Sequence, residues 1–175
     1  GRWFPNWRTN ISYNALDRQV AGPRKNKIAY YWEGENGEKR KLTYNDLYLE
    51  VNKFASALKK LGVKKGDRIT IYLPMIPELP ISMLACVRLG AVHSVIFAGF
   101  TAQAIANRIS DSRSKVVITS DGSYRRGKTL ELKPIVDEAI KQTSGIERVI
   151  VVKRTSNPVN MQLGRDLWYH DILTS

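Results

Sequence analysis

Between residues 68 and 152 the chain alternates short apolar runs with segments of helical spacing, and this alternation restricts its fold more than any other feature. The runs are typical of strands buried on both faces of a sheet, and they lie at Arg68–Leu73, Ala91–Phe97, Lys115–Thr119 and Arg148–Val152. The segments between them predict helices at Pro77–Leu89, Ala102–Ser110 and Pro134–Thr143, with Thr101 as the N-cap of the second. Such repeats predict an α/β fold, in which flanking helices cover a parallel sheet.

A β-hairpin is predicted before these repeats. Residues 27–35 and 38–44 flank Asn36-Gly37, a dipeptide favoured in two-residue hairpin turns because both positions tolerate positive φ. A short helix is predicted before the hairpin, over Tyr13–Val20. After the hairpin, Thr43 and Asp46 have the spacing of a helix N-cap, and apolar residues then recur at helical intervals as far as Leu61.

The net charge of +12 over 175 residues is the unusual feature of the composition. It raises the alternative of a basic nucleic-acid-binding module. The lysines and arginines come in scattered groups of two or three, which instead favours solvated surfaces and argues against both a nucleic-acid and a membrane partner. The single cysteine, and the lack of an apolar run of about 20 residues, predict a cytoplasmic protein.

The segment Gly122–Thr129 matches the phosphate-loop pattern G-x-x-x-x-G-K-[ST] and follows a predicted strand. A P-loop nucleotide hydrolase is therefore an alternative interpretation. It requires a helix that starts at Lys128, and Pro134 would cost such a helix about 3 kcal/mol. A solvated basic turn is the simpler interpretation of the same residues.

Several isolated residues whose side chains could act in catalysis or binding are interpreted as structural. His93 is expected to be a hydrogen-bonded core side chain, and Cys86 a small core hydrophobe. His170 has no partner at catalytic or metal-ligand spacing. The tryptophans are expected to cover core edges or an interface, and they are Trp3, Trp7, Trp32 and Trp168.

The residues from Pro74 to Phe100, PMIPELPISMLACVRLGAVHSVIFAGF, resemble the AMP-forming acetyl-CoA synthetases of the adenylate-forming superfamily. The resemblance extends over nearly the whole chain, through Ser12–Val20, Leu61–Met75, Arg108–Asp121, Leu132–Ile140 and Gly164–Leu173. It implies that the chain is the N-terminal part of the large domain of such an enzyme. The expected divisions are 1–43 for the first helix and hairpin, 44–153 for the α/β core, and 154–175 for a linker and the start of the next segment.

The resemblance also implies a binding site for coenzyme A. In the family a short Arg-x-Gly-Arg stretch contacts the CoA 3′-phosphate, and here it is similar to Arg125, Arg126, Gly127 and Lys128. Lys128 departs from the pattern, because lysine keeps the charge but loses the bidentate fork of arginine. The turn at Phe97, Ala98 and Gly99 is similar to one that lies along the CoA nucleotide, and the alternative is a strand-ending turn with two core aromatics, Phe97 and Phe100.

The family reaction joins acetate, ATP and CoA through an acyl-adenylate, with Mg²⁺ stabilising phosphate charge, to give acetyl-CoA, AMP and pyrophosphate. The phosphate loop, the ribose-binding aspartate and the catalytic lysine of the family have no counterpart in residues 1–175. No catalytic or metal-binding residue is therefore predicted here. We expect an N-terminal fragment that is inactive alone, whose partners are small-molecule substrates and the remainder of the same polypeptide.

Overall fold

The computed structural model describes residues 5–6 and 8–174, so Trp3 and Trp7 lie outside the described residues. A π-helical segment, Tyr13–Asp17, continues as α1 (Arg18–Val20), which confirms the first predicted helix. It is followed by the predicted antiparallel hairpin of β1 (Ile28–Glu33) and β2 (Lys39–Thr43). The prediction of a two-residue turn at Asn36-Gly37 was wrong. The Gly34 N–H donates to the Glu38 carbonyl and closes a longer loop, in which Gly37 has a φ of 83° and Asn36 does not have a positive φ.

Helix α2 (Tyr44–Lys60) begins with the capping interaction that the sequence predicts. The Thr43 Oγ1 accepts from the Asp46 N–H at 3.1 Å, and the Asp46 carboxylate accepts from the Thr43 N–H at 2.9 Å. One face of α2 is buried because its apolar residues recur every three or four positions. Gly62, with a φ of 91°, follows the end of the helix.

The rest of the chain forms a parallel sheet with helices between its strands. In chain order these elements are β3 (Arg68–Leu73), α3 (Glu78–Arg88), β4 (Val92–Phe97), α4 (Ala102–Ser112), β5 (Val116–Ser120), β6 (Gly122–Arg125), β7 (Lys128–Glu131), α5 (Lys133–Lys141), β8 (Arg148–Val152), β9 (Asp166–Trp168) and α6 (Tyr169–Ile172). The five-stranded sheet has the order β4-β3-β5-β8-β9, and β6 and β7 form a separate two-stranded sheet. The predicted α/β fold with a parallel sheet, flanking helices and a preceding hairpin is confirmed.

The two faces of the sheet are covered by different helices. One hydrophobic cluster packs α2 and α3 against Ile71, Ile118 and Ile150, and the other packs α4 and α5 against Val117 and Val149. From β3 the chain runs to β4 on one side, and from β5 it runs to β8 on the other. The strand order therefore reverses between β3 and β5, and open α/β sheets bind ligands beyond the carboxyl ends of the strands at such a reversal.

Strand β4 differs from its prediction. Val92 is 57% exposed, Val95 38% and Phe97 60%, so the expectation that all four apolar runs are buried on both faces was wrong for this strand. The reason is its position, because β4 is one of the two edge strands of the sheet in the part of the chain that the structure describes. Among those residues, no helix is long and apolar enough to cross a membrane.

Candidate functional site

A second hairpin, residues 122–131, carries the basic residues singled out in the sequence, and we call it the basic hairpin. Its strands β6 and β7 pair from Gly122 with Glu131 to Arg125 with Lys128. The two turn residues have positive φ, 52° at Arg126 and 71° at Gly127, as a type I′ turn requires. The P-loop interpretation was wrong, because Lys128 lies in a strand and the next helix begins only at Lys133.

The basic hairpin concentrates positive charge on an exposed turn. Arg125 and Lys128 are paired directly across the two strands, and they line a cavity of about 490 Å³ together with Arg126. Like charges directly opposite each other destabilise an antiparallel pair. The Glu35 carboxylate accepts from the Arg126 backbone N–H at this turn. No carboxylate of the described residues forms a salt bridge with the three side chains, so their charged groups can contact an anionic ligand.

The turn that follows β4 lies against the basic hairpin. A Cβ atom built on Gly99 would lie 3.2 Å from the Arg125 Nη1 and 3.2 Å from the Phe97 ring, so the backbone approaches Arg125 closely at this glycine. Ala98 is buried, whereas Phe97 and Phe100 are 60% and 41% exposed, and the interpretation as two core aromatics was wrong. The two segments predicted from the resemblance are therefore neighbours, although β3 separates β4 from β5 in the sheet.

Asp121, which the sequence analysis did not single out, lies where the basic hairpin leaves the sheet. It is fully buried, and its carboxylate accepts hydrogen bonds from the backbone N–H groups of Gly122, Arg154, Thr155 and Ser156 at 2.7–3.0 Å. An aspartate directly after a buried strand was the available signal, because the carboxyl edge of a parallel sheet is where polar groups cluster. Three of these four partners, Arg154, Thr155 and Ser156, lie more than thirty residues away, which no local pattern shows.

Arg154, also missed in the sequence, joins the two hairpins. The centre of its guanidinium lies 4.9 Å from the Tyr124 ring centroid in β6 and 5.2 Å from the Trp32 ring centroid in β1. The same group forms a salt bridge with Glu38. The expectation that Trp32 covers a core edge fits this position, where its Nε1 donates to the Met75 carbonyl at 2.7 Å.

The remaining candidates have structural surroundings. Burial raises the pKa of the Cys86 thiol to about 12, which suits the predicted small core residue. The interpretation of His93 as a hydrogen-bonded side chain was wrong, because its Nδ1 is buried without a partner in the described residues, and burial lowers its pKa. The described residues contain no group of three histidine, cysteine, aspartate or glutamate side chains placed to hold a metal ion.

The fold and the site together define an α/β domain with a cationic hairpin beside a glycine turn at the carboxyl edge of its sheet. The AMP-binding enzyme family model matches residues 16–170, and the chain belongs to this family.

The relatives include acetyl-coenzyme A synthetases from Methanothrix thermoacetophila and Chlorobaculum tepidum, 55% and 54% identical over 98% of this chain. A 3-hydroxypropionyl-coenzyme A synthetase from Sulfurisphaera tokodaii is 53% identical over the same share. The matched region is 26% of the length of each of these relatives, so the chain spans about a quarter of them.

Proposed function

We propose that this chain is part of an acetyl-CoA or other short-chain acyl-CoA synthetase. Such an enzyme activates a carboxylate with ATP to form an acyl-adenylate and pyrophosphate, and the CoA thiol then displaces AMP to give the thioester. Support comes from the relatives, which are named as synthetases of acetyl-CoA or 3-hydroxypropionyl-CoA and match almost the whole of this chain. The cytoplasm is the compartment we propose, from the cysteine content alone.

Within this enzyme we propose that the basic hairpin and the turn at residues 97–99 bind the nucleotide end of CoA. The observation that carries this proposal is the placement of two cationic side chains, Arg125 and Lys128, directly opposite each other and beside the close backbone approach at Gly99. A phosphate accepts charge-assisted hydrogen bonds from such cations, which offsets their mutual repulsion. Arg125 can form a bidentate contact with the 3′-phosphate, and Lys128 adds a point charge.

ATP and Mg²⁺ are proposed as the substrate and metal of the complete enzyme. When bound, Mg²⁺ would neutralise the charge that develops on the phosphates. The described residues offer no set of three acidic, histidine or cysteine ligands for it, and we derive no step of this chain through the metal. The role that we propose for this chain is to bind and orient CoA.

The proposed CoA site is tested by Arg125→Ala in the full-length protein. We expect the KM for CoA to rise about tenfold, because one charge-assisted phosphate contact of about 1.5 kcal/mol is lost. Dephospho-CoA, which lacks the 3′-phosphate, should be used almost equally well by wild type and variant. Acetate-dependent pyrophosphate exchange, measured without CoA, should not change.

Arg24→Ala is the matched control for this measurement, because Arg24 is also exposed and its loss changes the net charge equally. This control should leave both CoA and dephospho-CoA kinetics unchanged. An Arg125→Ala enzyme with an unchanged KM for CoA, and with no change in its preference over dephospho-CoA, contradicts the proposed site.

The chain of residues 1–175 by itself is expected to be inactive. We propose that the groups which activate the carboxylate lie in the remaining three quarters of the enzyme, since this segment offers phosphate-binding cations but no metal-ligand group among its described residues. The measurement is acetate-dependent pyrophosphate release in the presence of ATP and Mg²⁺, with the full-length protein as positive control. Pyrophosphate release by the isolated chain above background would contradict the proposal that the activating groups lie outside it.

A further inference from the structure

Asp121 contacts the beginning and the end of the basic hairpin. Its carboxylate accepts from the Gly122 N–H at 2.7 Å, at the first residue of β6. Its backbone carbonyl accepts from the Leu132 N–H at 3.0 Å, directly after β7, and its own N–H donates to the Val152 carbonyl of β8 at 3.0 Å. Both ends of the hairpin are thus attached to the sheet through this single residue.

The same carboxylate also orders the segment after β8. It accepts from the N–H groups of Arg154, Thr155 and Ser156 at 2.7, 3.0 and 2.7 Å. Ser156 has a positive φ of 59°, a conformation that a serine adopts only when surrounding contacts hold it. Arg154, held through its backbone, places its guanidinium on the Tyr124 ring in the middle of β6. The Asp121 carboxylate therefore supports the hairpin at its base directly and along its length through Arg154.

We propose that Asp121 is a positioning residue for CoA: its carboxylate holds the basic hairpin so that Arg125 stays beside Gly99. This inference rests on the proposed CoA site and adds the residue that aligns it. The Arg125 Nη1 lies 3.2 Å from where a Gly99 Cβ would be, so a small rotation of the hairpin about its base separates the two segments. A misplacement of about 1 Å in a binding group can cost a hundredfold in rate.

Only a carboxylate can accept all of these hydrogen bonds. An asparagine at this position has the same shape but a single acceptor oxygen, and its NH₂ group would face at least one of the N–H donors. Asp121→Asn therefore changes the acceptors without changing the volume. The hairpin sequence itself stays intact in this variant, including all of its cations.

The test is Asp121→Asn in the full-length protein, alone and combined with Arg125→Ala. We expect the single variant to raise the KM for CoA about tenfold, as loss of a hydrogen bond to a charged group does, and to reduce the preference for CoA over dephospho-CoA. Acetate-dependent pyrophosphate exchange without CoA should stay within about twofold of wild type, since the variant acts only through the hairpin. The double variant should be no worse for CoA than Arg125→Ala alone, because residues that act through one contact are not additive.

Asp166→Asn is the matched control. It makes the same change at another buried carboxylate, whose partners include the side chains of Lys133 and Arg165 and the Gln162 N–H. It should lower stability without reducing the preference for CoA over dephospho-CoA. A similar loss of preference in this control would mean that lowered stability is the cause, and would overturn the inference.

Three further outcomes distinguish the positioning role of Asp121 from the proposed CoA site itself. If Arg125→Ala raises the KM for CoA and Asp121→Asn does not, the positioning role is wrong and the proposed CoA site stands. If the two effects add fully, Asp121 does not act through Arg125 and the inference fails. If neither substitution affects CoA, the proposed site itself is wrong.

Arg154→Leu is the second variant, for the case in which Asp121→Asn does not fold. It removes the guanidinium that stacks on Tyr124 but leaves the Asp121 carboxylate and its backbone partners in place. The variant also loses the contact with Trp32 and the salt bridge with Glu38, which join the two hairpins. We expect a smaller increase, about threefold, in the KM for CoA, as the loss of the cation–aromatic contact with the basic hairpin at Tyr124 allows. An unchanged KM together with an unchanged preference over dephospho-CoA would overturn the inference.

Discussion

Lys133→Met is expected to lower the free energy of unfolding of the protein by about 3–5 kcal/mol, because the carboxylates of Asp137 and Asp166 then retain only Arg165 as a cationic partner among the described residues. The Lys133 side chain is fully buried, and its Nζ lies 2.7 Å from the Asp137 carboxylate and 2.8 Å from the Asp166 carboxylate. It also donates to the Asn160 carbonyl at 3.0 Å. Methionine fills a similar volume, so the loss comes from the charge and the hydrogen bonds. The measurement is denaturant-induced unfolding of wild type and variant.

Lys141→Met is the control on the same helix. Lys141 pairs with Glu138 at 3.1 Å, but both side chains are more than half exposed, and the expected change is below about 0.5 kcal/mol. An equal decrease in the free energy of unfolding for the two variants would show that the cluster of Lys133, Asp137 and Asp166 does not stabilise the fold.

The effect of Lys133→Met should also depend on pH. Burial alone would raise the pKa of Asp166, but hydrogen bonds from Arg165 and Lys133 outweigh it and lower the pKa below its ordinary value. A carboxyl group with a lowered folded-state pKa stabilises the fold at pH values above its unfolded pKa of about 4, and this contribution is lost as the pH falls through the folded-state pKa. The difference between wild type and variant should therefore narrow in acid. A difference that is constant with pH would mean that the charge pair is not its source.

Gly122→Ala is expected to lower the free energy of unfolding by about 3 kcal/mol, the upper end of the range for an overpacked site. A Cβ at this position would overlap the Thr155 Oγ1 and would lie 2.8 Å from the Asn157 Oδ1 and 2.9 Å from the Leu130 carbonyl. The Leu130 carbonyl is backbone on the opposite strand of the basic hairpin and cannot rotate away. The hairpin base must open to relieve the contact, so the full-length variant should also show a higher KM for CoA.

Gly127→Ala is the control within the same hairpin. No atom lies within 4 Å of a Cβ built at Gly127, and only the positive φ of 71° disfavours alanine there, which costs about 1 kcal/mol. Denaturant unfolding of the two variants separates a steric from a conformational cost. If Gly122→Ala lowers the free energy of unfolding no more than Gly127→Ala does, the packing described around the hairpin base is contradicted.

The success of the sequence predictions depends on the range of the interactions behind them. The Thr43 cap and Pro134 in the first turn of α5 were placed correctly, because capping and proline geometry act within four residues. The exposure of β4 was not predicted, since an apolar run looks the same in a central and an edge strand. The Asn36-Gly37 turn failed for a related reason, because loop length depends on the register of both strands.

In the candidate site, too, residues with distant partners were not predicted from the sequence. The resemblance implied Arg125, Lys128 and Gly99 as site residues, and their role in binding CoA stays a prediction. Asp121 and Arg154 were missed because their partners are distant in the chain: Asp121 bonds to residues 154–156, and Arg154 reaches Trp32 and Glu38. A motif pattern contains no information about such pairs.

The sequence by itself determined the class of fold, the first hairpin, four strands of the parallel sheet with the helices between them, and the family, because hydrophobic periodicity and extended residue identity are properties of the chain alone. Only the tertiary structure decided that residues 122–129 form a hairpin and not a phosphate loop. It alone also placed the turn after β4 against Arg125, across an intervening strand. The physical reason is that sheet order and side-chain contact arise from packing between segments far apart in the chain, where many arrangements share the same local preferences.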